Sequence, residues 1–336
     1  MMGSVLTIGL AAVMLMTPPV YHVPVTLDTA VAEPLHTLSM QRVGLPDAVN
    51  SLAVIPGTAK AAVALNREVL IVDTDRLALI NRVEACDFCT MTNIHVSDDG
   101  QTIDLTGNKK KEGRRYALGS LEPVSTLPPT DPRAVISPDG RYRLHNVDRQ
   151  AQLTSGDGTV LWDSGLPDPK GMAFSSGSTL MVIAYDDDAA GKKAGAARLL
   201  TVEGRETLAE IKFERATFTF AAFAPDGDTL ALGAYTGRII LWDVPGQRLI
   251  AHFQAGDGLR SMVISPDGQY IAVGGGRKGD GYAGLWRLSD GQPIARQHFG
   301  DRVAGLDFDG RGAKLIAGSW ANELAVIDLS PLYEGN

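Results

Sequence analysis

Two cysteines in 336 residues cannot supply a disulfide framework, so the fold has to rest on an apolar core rather than on cross-links. Aromatic residues are scarce at 6%. Basic residues are outnumbered, 31 Lys and Arg against 39 Asp and Glu, and the resulting net charge of -8 excludes a protein whose main task is neutralising phosphate backbones. Nucleic acid is therefore not an expected partner. The apolar run Val5 to Met16 (VLTIGLAAVMLM) stops at twelve residues, short of the roughly 20 that a spanning helix needs. The chain also lacks a phosphate-binding loop, a G-x-S-x-G elbow and an H-E-x-x-H pair, so no recognised nucleophile, metal or nucleotide signature speaks for catalysis. What it has in excess is glycine, 37 residues, and with it the capacity for many tight turns.

The amino end reads as an export signal. The apolar run is closed by Thr17-Pro18-Pro19, and Ala30-Val31-Ala32 offers the small residues that a signal peptidase prefers. Residues 1–32 are expected to be the signal peptide and residues 33–336 the mature domain, periplasmic or secreted. No Lys or Arg precedes Arg42, and residues 17–30 separate the run from the first motif alanine. A cleavage nearer residue 20, or an uncleaved segment holding the domain at a membrane and facing the periplasm, stays open.

Glycine-centred turns recur about every 42 residues: Pro56-Gly57, Asp99-Gly100, Pro138-Asp139-Gly140, Ser176-Gly177, Pro225-Asp226-Gly227, Pro266-Asp267-Gly268 and Arg311-Gly312. That is the period of four-stranded blades arranged radially, and it gives seven units. Each glycine sits between two apolar stretches, as in SMVIS and YIAVGGG around Pro266-Asp267-Gly268, so each closes a hairpin. The stretch after the turn is apolar at nearly every position, as it must be when a sheet is covered on both faces. A third strand ends in Leu161-Trp162-Asp163, Leu241-Trp242-Asp243 or Leu285-Trp286-Arg287. The seventh unit runs out of chain before a fourth strand. Leu35 to Val43 (LHTLSMQRV) precedes the first unit and is expected to pair there as the missing outer strand, closing the ring and removing an open edge.

Through its S-P-D-G and A-P-D-G turns and its Leu-Trp-Asp endings, the chain resembles the WD-repeat family of β-propellers, in particular divergent bacterial members. The Gly-His pair of typical repeats is replaced before unit six by Ala255-Gly256. The resemblance implies an all-β, seven-bladed propeller that binds other proteins across its top face and channel mouth. It also implies that Trp162, Trp242 and Trp286 belong to the core.

In that topology the loops between second and third strands, together with the links between blades, lie on the top face. Expansion is expected at Asn108 to Arg115, Val147 to Gly158, Asp186 to Ala194 and Gly276 to Tyr282, and one-sided elaboration of a repetitive scaffold marks a binding side. Two sets of partner-binding candidates follow. Lys109, Lys110, Lys111, Arg114 and Arg115 form a basic cluster suited to an acidic partner or to lipid headgroups. Tyr185, Tyr235 and Trp320 each fall eight residues after a turn glycine and would ring one mouth, either gripping a peptide or packing between hairpins.

Cys86-Asp87-Phe88-Cys89 lies between the first two units. In an oxidising compartment the pair is placed to form a local disulfide, whereas a redox-active pair would need a helix amino end that the sequence does not offer. His95 and the two cysteines supply three metal ligands but no fourth, and no metal site or cofactor is expected. Gly279 to Gly284 matches a dinucleotide fingerprint formally but joins two strands, not a strand to a helix. Two functions follow: a noncatalytic scaffold binding a protein partner, as an accessory or assembly subunit of the cell envelope, or a propeller enzyme or cofactor-handling protein of lactonase, quinone-linked or haem-linked type.

Overall fold

The computed structural model describes residues 17–23, 34, 36–85, 91–97, 99–107, 112–129, 134–187, 194–213 and 217–334. The turns set its geometry. At Ser265-Pro266-Asp267-Gly268 the Ser265 hydroxyl donates to the Asp267 carboxylate at 2.5 Å, which also accepts the Gln269 N–H at 3.0 Å. Gly268 takes the left-handed conformation, φ 70°, that follows a type I turn and feeds the next strand. The same serine-aspartate arrangement recurs at Ser137 with Asp139 and at Ser97 with Asp99. Blade 4 departs from it, because there Ser178, not Gly177, holds the left-handed position, φ 54°.

These hairpins assemble into seven antiparallel sheets of four strands, blade 4 carrying one strand more. Blades 1 to 6 follow one another along the chain, their innermost strands being Ser51–Val54, Met91–Val96, Val135–Ile136, Gly171–Phe174, Phe218–Phe223 and Ser261–Ile264. Blade 7 runs Val303–Phe308, Lys314–Ser319, Glu323–Asp328 and then, as its outer strand, Met40–Gly44. The seven-bladed propeller expected from the repeat is thus present. Second strands are mostly buried in five of the seven blades, as in Leu230 to Ala234 and Ala61 to Ala64, because each sheet is sandwiched by its neighbours, while those of blades 2 and 3 are half-buried. Trp242 and Trp286 are buried at 1% and 3% exposure, and Trp162 is half-buried.

The ring closes twice over. On the outside, Met40 to Gly44 pairs antiparallel with Ile327 to Glu323. The closing strand is therefore real, but it begins five residues later than Leu35. The preceding stretch contributes single contacts, with the His36 N–H donating to Ile294 O at 2.8 Å and Ser39 O accepting the Asp328 N–H at 3.0 Å. Leu38 is buried beside Phe299 and Leu329. On the inside, Asp307 reaches from blade 7 to blade 1. Its carboxylate accepts the Val54 N–H at 2.8 Å and the Phe308 N–H at 2.9 Å. Burial pushes its pKa up to about 6 against these two donors. Close approach between blades also fixes small residues: a Cβ on Gly318 would lie 2.4 Å from the Val49 side chain.

Two of the expected loop expansions are strand extensions instead. Val147 to Gly158 contains a turn at Asp148 and Arg149, both at positive φ, between strands Tyr142–Val147 and Gln150–Ser155. Gly276 to Tyr282 is the tip of two eight-residue strands, Tyr270–Arg277 and Asp280–Arg287. At the amino end, Val20–Val23, inside the stretch read as a leader, is a strand on the outer edge of blade 4.

Candidate functional site on the top face

Among the described residues, Tyr235 and Trp320 are the only exposed aromatic side chains, at 52% and 36%. The fold brings them to one cation. Tyr235 stands in the turn between the second and third strands of blade 5, and its carbonyl accepts the Leu259 N–H at 3.0 Å. The next residue, Arg260, leads into the inner strand of blade 6, pinned by its N–H to Gly274 O at 2.8 Å. Trp320 occupies the corresponding turn of blade 7 and donates its N–H to Arg302 O at 2.9 Å. Three blades thus converge where two hydrogen-bonded links meet.

The Arg260 guanidinium carbon lies 5.4 Å from the Tyr235 ring centre and 5.3 Å from that of Trp320, and Arg302 covers Trp320 at 5.0 Å. These are cation–π distances. The two arginines differ in their charge balance. Arg302 is paired with Asp301 at 3.1 Å, whereas Arg260 has no ion pair among the described residues, and its Nε is buried without a hydrogen-bond acceptor. A guanidinium in contact with aromatic rings keeps the planar fork of N–H donors that pairs with a carboxylate.

Beside the platform, on the same link, a cleft of about 290 Å³ is lined by Gln254, Asp257, Arg277, Asp280, Tyr282 and Arg296 together with two glycines. Arg296 covers the Tyr282 ring at 4.1 Å and donates to Ala255 O at 2.6 Å. Burial lowers the Arg296 pKa and raises that of Tyr282. A second cavity, about 400 Å³, lies between the inner strands of blades 3, 4 and 5, against Val135, Met172 and Phe220. Among the described residues no cluster of three or more His, Cys, Asp or Glu could hold a metal ion.

The other sequence candidates divide. Tyr185 is buried at 5% and packs with Leu144, Met172 and Leu200 between blades 3 and 4, so it is not a surface contact. The reason is the blade 4 turn: counting from the left-handed residue Ser178 instead of Gly177 moves Tyr185 one place back along the strand, into register with buried Ala234 and Ser319. Arg115 lies in the third strand of blade 2 and is committed to buried Asp104, Nε to Oδ1 at 2.6 Å and Nη2 to Oδ2 at 2.7 Å. Arg114 beside it is exposed. Lys109, Lys110, Lys111, Cys86 and Cys89 lie outside the described residues.

Arg260 and Arg302 were not singled out from the sequence. A signal exists in Gly256-Asp257-Gly258-Leu259-Arg260 and Gly300-Asp301-Arg302, a Gly-Asp lead followed by arginine immediately before an inner strand in units six and seven. Residues 245–287 match the WD domain, G-beta repeat. The matched stretch runs from the turn before the outer strand of blade 5 to the third strand of blade 6, and it includes the Ser265-Pro266-Asp267-Gly268 turn and Leu285-Trp286-Arg287. Taken with the seven sheets and their double closure, it makes the chain a WD-repeat-like seven-bladed β-propeller.

Proposed function

We propose that the chain is an exported, noncatalytic scaffold that binds a protein partner on its top face, with Arg260, Tyr235 and Trp320 receiving an acidic segment of that partner. Propellers of the WD40 kind generally mediate protein–protein interaction. The observation that carries the finer reading is that, among the described residues, the two exposed aromatics converge on one arginine that has no carboxylate partner. Exposed Trp and Tyr are unfavourable in water, and with Arg they make up the residue types that dominate binding hot spots. A carboxylate paired with Arg260 would find its apolar stem resting on Trp320. The periplasmic or extracellular location rests on the apolar run Val5 to Met16, closed by Thr17-Pro18-Pro19.

The test is affinity capture from envelope extracts with the wild-type chain and with Arg260→Ala and Trp320→Ala. A stoichiometric partner is expected with wild type, weakened at least tenfold in either variant and weakened by added salt, with the melting temperature of the bait unchanged. A partner retained equally by both variants would place the contact elsewhere on the ring.

A further inference from the structure

Among the described residues, blade 4 is the only sheet with five strands. Its extra strand pairs in parallel with the outer strand Thr207–Phe213, in the register Val20 to Glu210, Tyr21 to Ile211, His22 to Lys212 and Val23 to Phe213. Pro19 O extends the ladder by accepting the Glu210 N–H at 3.0 Å. Side chains alternate along it, as in any strand. Val20 and His22 are exposed, while Tyr21 and Val23 turn into the seam between blades 4 and 5.

That seam is built to receive them. The Tyr21 ring meets Trp242 of blade 5 edge-on, with centres 4.9 Å apart and planes at 63°, and its hydroxyl donates to Gln247 Oε1 at 2.8 Å. Val23 is 5% exposed and packs in one cluster with Ile211, Phe213, Phe218 and Trp242. Without this strand, the Trp242 ring and the backbone edge of Glu210 to Phe213 would both lose their cover, leaving an apolar open edge of the kind that recruits other chains. Four paired residues with two inward side chains are too few to stay bound once severed, because the segment would then have to overcome its full translational entropy.

Cleavage after Ala32 would sever it. We infer that Val20–Val23 is a permanent strand of the mature domain, and that amino-terminal processing falls ahead of Pro19, removing at most the apolar run, rather than after Ala32. This inference is independent of the partner-binding reading, since it concerns the outer edge of blade 4 and none of Arg260, Tyr235 and Trp320.

Intact-mass spectrometry of the full chain, expressed in a Gram-negative host and recovered after fractionation, reads the terminus directly. The expected species begins at or before residue 19, an uncleaved chain included, and a dominant species beginning at Glu33 overturns the inference. A chain beginning at Thr17 is then compared with one beginning at Glu33. The shorter chain is expected to melt lower by about 5 °C or more, from the lost burial of Tyr21 and Val23. A peptide of residues 17–27 in excess should restore part of that loss, and the same peptide with Tyr21→Ala should not. Should the shorter chain fail to fold, the double variant Tyr21→Ala, Val23→Ser in the longer chain makes the same comparison. Equal melting temperatures refute the strand's role.

Discussion

Replacing Leu38 by alanine tests whether the segment ahead of the closing strand is part of the core. Leu38 is 5% exposed and lies among Leu285, Ile294 and Phe299 of blade 6 and Ala325 and Leu329 of blade 7. Its carbonyl accepts the Gln297 side-chain amide at 2.8 Å, a contact that alanine keeps. The substitution therefore removes only buried carbon. Lost transfer energy together with the cavity left behind puts the cost at about 2–5 kcal/mol. Because neighbours from two blades are fixed by their own sheets, collapse into the space is restricted and a value near about 3 kcal/mol is expected. For a chain of this size that corresponds to a fall in melting temperature of about 5 °C. The control is Ile80→Ala, on the outer strand of blade 1 with 48% exposure, where about 0.5 kcal/mol or less is expected. Urea unfolding followed by tryptophan fluorescence gives both midpoints. Indistinguishable midpoints for the two variants would refute the packing of Leu38 between blades 6 and 7.

Three further outcomes are expected. Gly318→Ala, whose Cβ would fall 2.4 Å from Val49 Cγ1, should destabilise by about 1–3 kcal/mol, while Gly310→Ala, with nothing within 4 Å, should be near neutral in the same denaturant titration. Asp307 has a folded pKa of about 6, above its value of 3.8 in the unfolded chain, so the folded state holds the proton more tightly. Its contribution is complete below about pH 4 and is lost as pH rises through about 6. Asp307→Asn should therefore gain on wild type between pH 4 and pH 7, and a gap that stays flat across midpoints at pH 4, 5, 6 and 7 contradicts the burial argument. Asp104→Asn weakens the pair with Arg115, whose side chain is 37% exposed, and should cost about 1 kcal/mol or less, a loss that shrinks in 0.5 M salt, as thermal melts in both buffers would record.

Much of the architecture was legible because the turns are chemically specified. Proline, aspartate and glycine at fixed offsets dictate backbone dihedrals at Gly140, Gly227 and Gly268, and the spacing of these three together with four less complete glycine turns gives seven sheets regardless of what the strands contact. Registers were less legible. In blade 4 the left-handed position is filled by Ser178, a residue that rarely adopts it, so counting from Gly177 groups Tyr185 with exposed Tyr235 and Trp320, and of its two readings the packing between hairpins is the one found. The closing strand reads Met-Gln-Arg-Val-Gly, mostly exposed at a sheet edge, so no burial pattern marks where it starts. Val20–Val23 is four residues long and lies between an apolar run and a cleavage-like motif, and only its long-range pairing reveals it. Arg260 escaped notice for the same reason: its rings come from positions 235 and 320, joined only when blades 5, 6 and 7 stand side by side.

The closing strand has a temporal consequence. Gly44 must wait for Glu323, so during synthesis at roughly 5–20 residues per second the front of the chain spends about 15–60 s without its partner. The last sheet cannot be completed before nearly all of the polypeptide has emerged. Through that interval Met40 to Gly44 remains free to pair with the wrong edge, including that of a neighbouring nascent copy. Assembly is thus all-or-none at its final step, and a chain truncated before residue 323 should be a substrate for proteases rather than a six-bladed survivor.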